Sequence, residues 1–311
     1  MSLAGKRVII SGGAGFLGSY LVERLLGLGA EVTAVDDLST GRVENLKAVM
    51  DNLKFKLIEA DASDVDANGY DIHIHGASIP SPDDYMKRPI KTALSNALGL
   101  LNFLKSSRRI LYMSSSEVYG DPQVIPTPES YWGNVNPVGQ RSPYDESKRF
   151  GEALCMAFHR EKGVDVKIAR IHNTYGPRMD PQGRYARAIP RFIRQSLNGE
   201  PLTIYGDGSQ TRSFTYVDDM VDGLMRLLLS DFSGPINLGS ESEVSILELA
   251  STIKELTGSK SELAFMPLPP DDPKRRRPDI SLARKALKWQ PEIGLRDGLG
   301  RTIAWFRDEL K

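Results

Sequence analysis

The sequence turns at Gly12-Gly13-Ala14-Gly15-Phe16-Leu17-Gly18, immediately after the apolar run Lys6–Ser11 and immediately before a helical pattern that reaches Leu28. Glycines at these spacings permit a tight turn and a close approach of backbone to ligand. The helix that follows opens with unpaired N–H groups and the positive end of its dipole. A strand, a glycine turn and a helix in this order begin a parallel βαβ unit. The next apolar strand, Glu31–Val35, leads into Asp36, an acid placed where such a unit holds the ribose of a dinucleotide. The glycines alone are weak evidence. With the strand, the helix and the acid, they point to a pyrophosphate lying along Gly12, Gly15, Phe16, Leu17 and Gly18.

Further strands are expected at Lys54–Glu59, Asp71–His75, Arg109–Met113 and Val164–Ile171, with a long helix from Tyr85 to Ser106 and another from Tyr144 to Glu161. Strands alternating with helices give an α/β fold, a Rossmann-type doubly wound parallel sheet. Beyond Gly176, loops rich in Gly, Pro and Arg alternate with shorter helices at Ala186–Leu197, Val217–Leu229, Ile246–Leu256 and Leu295–Arg307. The change divides the chain into a dinucleotide-binding part, residues 1–176, and a smaller C-terminal substrate-binding part, residues 177–311. Some later segments are expected to return to the sheet.

Composition removes whole classes of partner. Lys+Arg and Asp+Glu are both 40, so the chain lacks the basic excess that nucleic acid would demand. The single cysteine, Cys155, excludes an internal disulfide and reads as a small buried hydrophobe. The four histidines show no metal-ligand spacing, so no metal is expected. No apolar run approaches the ~18 residues of a membrane span. The first strand starts at once after Gly5-Lys6, leaving no room for a signal peptide. A cytoplasmic protein is the expectation.

The chemistry concentrates in Met113-Ser-Ser-Ser-Glu117 and in Arg141-Ser-Pro-Tyr144-Asp-Glu-Ser-Lys148. Tyr144 and Lys148, four apart on a helix, share one face. An ammonium beside a phenol favours the phenolate, and a Tyr so tuned can take a proton from a hydroxyl near neutral pH. Alone, the pair reads equally as a solvated helix face. Behind a dinucleotide turn and a serine-rich strand end, it reads as a base with its activator, and both residues also count as cofactor contacts.

Asp36 followed by Asp37 would repel a 2′-phosphate, which favours NAD over NADP; Arg42 could partly offset that repulsion, and Asp37 reads equally as a turn residue. Asp61, ending the third strand, reads either as a contact to the adenine amino group or as a helix cap.

With these motifs in hand, the chain resembles the extended short-chain dehydrogenase/reductases that act on nucleotide sugars, and among them the UDP-glucuronate decarboxylases (UDP-xylose synthases). The stretches that carry this likeness are Tyr131–Gly139, Arg141–Arg149, Ala169–Arg178, Gln210–Arg212 and Asp271–Asp279. The resemblance implies that Tyr144 deprotonates the sugar C4 hydroxyl as NAD oxidises C4. The C6 carboxylate, now β to a ketone, leaves as CO₂; reprotonation at C5 and hydride return give the pentose, UDP-xylose, or the UDP-4-keto-pentose escapes. It places Ser115 at the C4 oxygen, Glu117 near C5 and the departing carboxyl, and Arg276 in the active site. Asn173, Arg178, Arg184 and Arg212 fall where the family holds the nucleotide diphosphate. A strand-end serine, a solvated loop acid and surface arginines are the plainer readings of these positions.

Two departures stand out. Decarboxylases usually carry Thr where Ser115 stands, and Arg184–Phe192 looks more like the epimerases and dehydratases of the superfamily. A 4,6-dehydratase would place Asp-Glu at Ser116-Glu117, and a 4-epimerase usually has no carboxylate at 117. A catalytically silent NAD-binding scaffold or sensor is the reading of another class; intact Ser115, Tyr144 and Lys148 argue against it. Related enzymes pair two helices with their copies, so Leu94, Leu98, Leu101, Leu154 and Phe158 are expected on the face of a homodimer formed by a four-helix bundle.

Overall fold

The structure, a computed structural model, describes residues 2–180, 187–268 and 275–311. Its seven-stranded parallel sheet runs in the order Gly234–Leu238, Asp165–Ile171, Arg109–Ser115, Ile72–His75, Arg7–Ser11, Glu31–Asp36, Phe55–Glu59. The chain starts in the middle, builds outward twice, then crosses to the other side. The order therefore reverses between Arg7–Ser11 and Ile72–His75, and such a reversal leaves a crevice beyond the carboxyl ends of the strands.

Both sheet faces are covered, which is why the central strands read as near-continuous apolar runs. Val8, Ile10, Leu111 and Met113 point into one layer, with Leu21, Val22 and Leu25 of the helix Phe16–Gly27 and Leu224 and Leu228 of Val217–Leu229. Their alternate neighbours Ile9, Ile110 and Tyr112 point into the other, with Phe103, Leu104 and Cys155. This is the two-residue period of a strand buried on both sides. Cys155 is buried and free, as its surroundings in the sequence suggested.

Of the second half, Gly234–Leu238 returns to the sheet, pairing in parallel with Asp165–Ile171. The remaining short strands carry the opposite wall of the crevice, including Thr211–Ser213 between Glu243–Ser245 and Arg275–Arg276.

The expected single helix from Tyr85 to Ser106 is corrected. It comprises Pro82–Lys87, Pro89–Leu94, a π turn at Ser95–Gly99 and Leu100–Ser106. Pro89 has no N–H to donate and disfavours helical geometry at Arg88, which adopts φ −127° and ψ 52°. In the π turn, buried Asn96 donates from Nδ2 to Ser147 Oγ (2.9 Å), which ties this segment to the helix Ser142–Lys162.

Candidate active site

A cleft of about 500 Å³ opens at the strand ends, lined from the glycine turn at one end to Arg212 and Arg276 at the other. Gly12 sits at φ +74°, where a side chain is strained, and a Cβ there would lie 2.8 Å from Ala77 N. A Cβ on Gly18 would fall 2.0 Å from Gly12 O. The turn therefore closes only with glycine at both positions, and it presents the N-terminus of Phe16–Gly27 to the cleft.

Asp36 is buried at the end of its strand. Its Oδ2 accepts from Ala14 N (2.9 Å) and its Oδ1 from Leu38 N (3.0 Å). The carboxylate also lines the cleft. Burial pushes its carboxyl above the usual carboxylate range. Asp37 lines the same cleft but binds Lys91 Nζ (2.7 Å) and accepts from Ser39 N (3.0 Å), so it is both a turn residue and an ion pair. Arg42 is drawn toward Glu44 (3.6 Å) and Glu309 (3.4 Å). Asp61 accepts from Ser63 N and Oγ (2.9 and 2.8 Å) in a turn, with no helix after it to cap, and lines the cleft.

Tyr144 and Lys148 project from the first turns of Ser142–Lys162 and are 6% and 2% exposed. Lys148 Nζ donates to Met113 O (2.9 Å) and lies 5.7 Å from the centre of the Tyr144 ring. The expectation of an ammonium that lowers the phenol needs correction. Burial pushes the Lys148 ammonium down to about 7 and the Tyr144 phenol up to about 12. The Ser115 hydroxyl and the charge of Arg187 pull the phenol back. Both ionisations are disfavoured because both groups leave water together.

Ser115 ends its strand and accepts from Glu117 N (3.2 Å), so one short turn places hydroxyl and carboxylate side by side. Glu117 is clamped between two arginines. Arg276 meets it with both terminal nitrogens, Nη1 on Oε1 and Nη2 on Oε2 (2.9 Å). Arg141 Nη2 adds a bond to Oε2 (2.7 Å). Two guanidiniums outweigh the cost of burial and hold the Glu117 carboxyl well below the usual carboxylate range.

Arg178 lines the cleft, yet its guanidinium pairs with Glu23 (2.6 Å) and stacks on Tyr20 (4.3 Å). Asn173 and buried Arg212 also line the cleft. Arg184 lies outside the described residues, as do residues 271–274 of the Asp271–Asp279 stretch.

Four residues of the site escaped the sequence. Arg141 stands three residues before Tyr144, one turn away, and that spacing was its available signal. Arg187 had none beyond its place in an arginine-rich segment. Tyr85 stacks on Tyr144 (centroids 5.2 Å apart, planes 16°) across the fold, a pairing no local pattern reveals. Buried Asp145 is pushed upward by desolvation and by Glu117.

The sequence profile of the NAD dependent epimerase/dehydratase family matches residues 8–239. The chain belongs to that family. Its relatives within reach include UDP-glucuronic acid decarboxylase 5 of Arabidopsis thaliana, 48% identical over 98% of this chain and 90% of the relative. UDP-glucuronic acid decarboxylase 1 of Xenopus tropicalis is 47% identical over 98% of this chain and 73% of the relative. Among solved structures, the UDP-glucuronic acid 4-epimerase of Bacillus cereus, in complex with UDP-glucuronic acid and NAD, superposes with a TM-score of 0.88. It is 28% identical and covers 97% of this chain and 99% of that one.

This member of the family uses NAD, and its residues fit that group: a glycine-only turn at a helix N-terminus and a buried acid at the strand end that lines the cleft. Asp36→Ala is expected to weaken NAD by ~10–100-fold, the worth of hydrogen bonds to a charged group. NADP should change far less. Binding titrations of both dinucleotides check this, and equal or better binding of NADP by the unmodified protein would contradict it.

Proposed function

We propose that the chain decarboxylates UDP-glucuronate through a 4-keto intermediate, giving UDP-xylose, UDP-4-keto-pentose or both. The observation that carries this reading is the Glu117 carboxylate, fixed by Arg141 and Arg276 one turn from Ser115 in the cleft that holds Tyr144. The relatedness to UDP-glucuronic acid decarboxylases supports it. NAD supplies reversible hydride acceptance at the sugar C4.

The chain's own residues do the rest. Tyr144 acts as the phenolate: its own proton leaves to solvent first, Oη then takes the C4 hydroxyl proton, and Ser115 Oγ holds the C4 oxygen in line. Burial pushes the Lys148 ammonium down to about 7, and in its charged form it favours the phenolate of Tyr144. Ketone formation places the carboxylate β to a carbonyl, so it leaves as CO₂ with its electron pair passing into an enolate, and Glu117 occupies the Arg141 and Arg276 guanidiniums that would otherwise hold the substrate carboxylate. Arg276 and Arg141 hold Glu117 in place and lie where they can stabilise the enolate. Asn173, Arg178, Arg184 and Arg212 are assigned to the nucleotide diphosphate; Arg178 would have to leave Glu23 to serve it.

A 4-epimerase is the second reading, favoured by the likeness to the Bacillus cereus structure. Incubation with UDP-glucuronate and mass analysis separates them. Decarboxylation yields a product lighter by CO₂; epimerisation leaves the mass unchanged.

On this reading residues 1–176 chiefly hold NAD and 177–311 chiefly the nucleotide sugar, and the enzyme works in the cytoplasm. It also works as a homodimer. Ile90, Leu94 and Leu98 on one segment and Phe150 on the facing helix are exposed, with Leu101, Leu154 and Phe158 half-buried beside them. A second copy covering this stripe would complete a four-helix bundle. The expected result is the mass of two chains at micromolar concentration, shifting to one for Leu94→Arg with Leu98→Arg. A monomeric mass for the unmodified protein would contradict it.

Ser115 sets the partition between products. A serine hydroxyl samples more rotamers than a threonine's, which is stiff at χ1. Ser115 should hold the keto-pentose less firmly, and small misalignment can slow hydride return ~10²-fold. Some UDP-4-keto-pentose is therefore expected to escape, and Ser115→Thr should lower its share. Chromatography of both products tests this; an unchanged share would remove Ser115 from the partition.

A further inference from the structure

Behind the cleft, at the end of the strand Gly234–Leu238, Asn237 is fully buried and uses every hydrogen-bonding position of its amide. Its Nδ2 donates to Thr127 O (2.9 Å) and to Asp279 O (3.0 Å). Its Oδ1 accepts from Tyr119 Oη (2.8 Å) and lies 3.3 Å from His172 Nε2. The amide's orientation is forced. Arg170 Nη1 donates to Tyr119 Oη (2.9 Å), so the phenol's own proton must go to Asn237. On the other side two carbonyls require two donors.

Those two carbonyls belong to the ladder just downstream of Arg276. Thr127 N donates to Arg277 O (2.9 Å) and Asp279 N donates to Thr127 O (3.0 Å), so Thr127 and residues 277–279 form one short ladder. On the upstream side, Arg275 and Arg276 pair with Thr211 and Arg212. The Arg276 side chain, 6% exposed, leaves this doubly held strap to grip Glu117. Among the described residues, Asn237 ties this ladder to the sheet through two of its carbonyls, Thr127 O and Asp279 O. It does not line the cleft, and it touches none of Ser115, Tyr144 or Lys148.

We propose that Asn237 is a positioning residue for the decarboxylation step: its amide fixes the strap that holds Arg276 on Glu117. The inference rests on the decarboxylase reading above. Its physical content is a separation of steps. C4 oxidation depends on Tyr144, Lys148 and Ser115, which the helix Ser142–Lys162 and the strand Arg109–Ser115 position. CO₂ loss depends on the Glu117–Arg276 pair, and a displacement of even ~1 Å there can cost ~10²-fold.

Asn237→Asp isolates the strap contacts. It is isosteric, keeps an acceptor for Tyr119 and His172, and turns the two donors facing Thr127 O and Asp279 O into an acceptor. The experiment is a single turnover of UDP-glucuronate on NAD-loaded enzyme in excess, following NADH absorbance and CO₂ release together. NADH should appear within ~3-fold of the unmodified rate while CO₂ release slows ~10-fold or more, so NADH accumulates before CO₂ appears. An equal fall in both rates, or a fall in neither, would overturn the proposal. Should Asn237→Asp not fold, Asn237→Ser is measured in the same way; failure of both to fold assigns Asn237 a purely structural role and overturns it as well. The unmodified enzyme is the control: absence of CO₂ there defeats the decarboxylase reading and not the positioning role.

Discussion

Tyr144→Phe is expected to lower turnover of UDP-glucuronate ~10²–10⁴-fold, the usual worth of a positioned general base, while UDP binds as before. The substitution keeps the ring that stacks on Tyr85 (5.2 Å between centroids) and removes only the titrating hydroxyl. Two charged neighbours are already committed. Lys148 donates to Met113 O, and Glu117 is held ionised by two guanidiniums, a weak base for an alcohol. The phenol itself is pushed up to about 12 by burial, so the base is its ionised fraction, which the charged form of Lys148 favours. Steady-state rates with UDP-glucuronate, alongside UDP titration, check the prediction. Near-normal turnover of the phenylalanine variant would mean the proton leaves by another route.

Glu117→Gln is expected to separate the two halves of the reaction. Oxidation at C4 should continue, and CO₂ release should fall ~10²-fold or more, the size of one preorganised charge acting on the reacting centre. The amide keeps the shape of the side chain but removes the charge that Arg141 and Arg276 grip. Those guanidiniums would then be free to hold the substrate carboxylate instead of expelling it. NADH should therefore accumulate on the enzyme with UDP-glucuronate present. Equal loss of NADH formation and CO₂ release would show that Glu117 serves binding alone.

Much of this site was legible because its chemistry is local in sequence. The turn Gly12–Gly18, the strand-end Ser115-Ser116-Glu117 and the Tyr144/Lys148 face each lie within a few residues, where backbone periodicity fixes who stands beside whom. The six strands up to Ile171 were legible to within a residue or two for the same reason. What escaped depends on long-range packing. Tyr85 stacks on Tyr144 from a short helix that ends at the break before Pro89, whereas the sequence pattern reads as one continuous helix. Asn237 sits in a short strand whose role as the sheet's seventh member is set by Asp165–Ile171. The charge state of Lys148 follows from burial, which sequence spacing does not report. Arg178 shows the converse: the family position is present, but Glu23 on the neighbouring helix claims its guanidinium.

The most direct measurement supplies UDP-glucuronate labelled with heavy carbon at C6 to enzyme carrying its NAD, with no dinucleotide added, and follows the label. The account predicts that the label leaves as CO₂ over many turnovers, with nucleotide pentose formed in equal amount and NADH appearing only to the extent that keto-pentose escapes. Label retained in a nucleotide sugar of unchanged mass, as a 4-epimerase would leave it, would contradict the account.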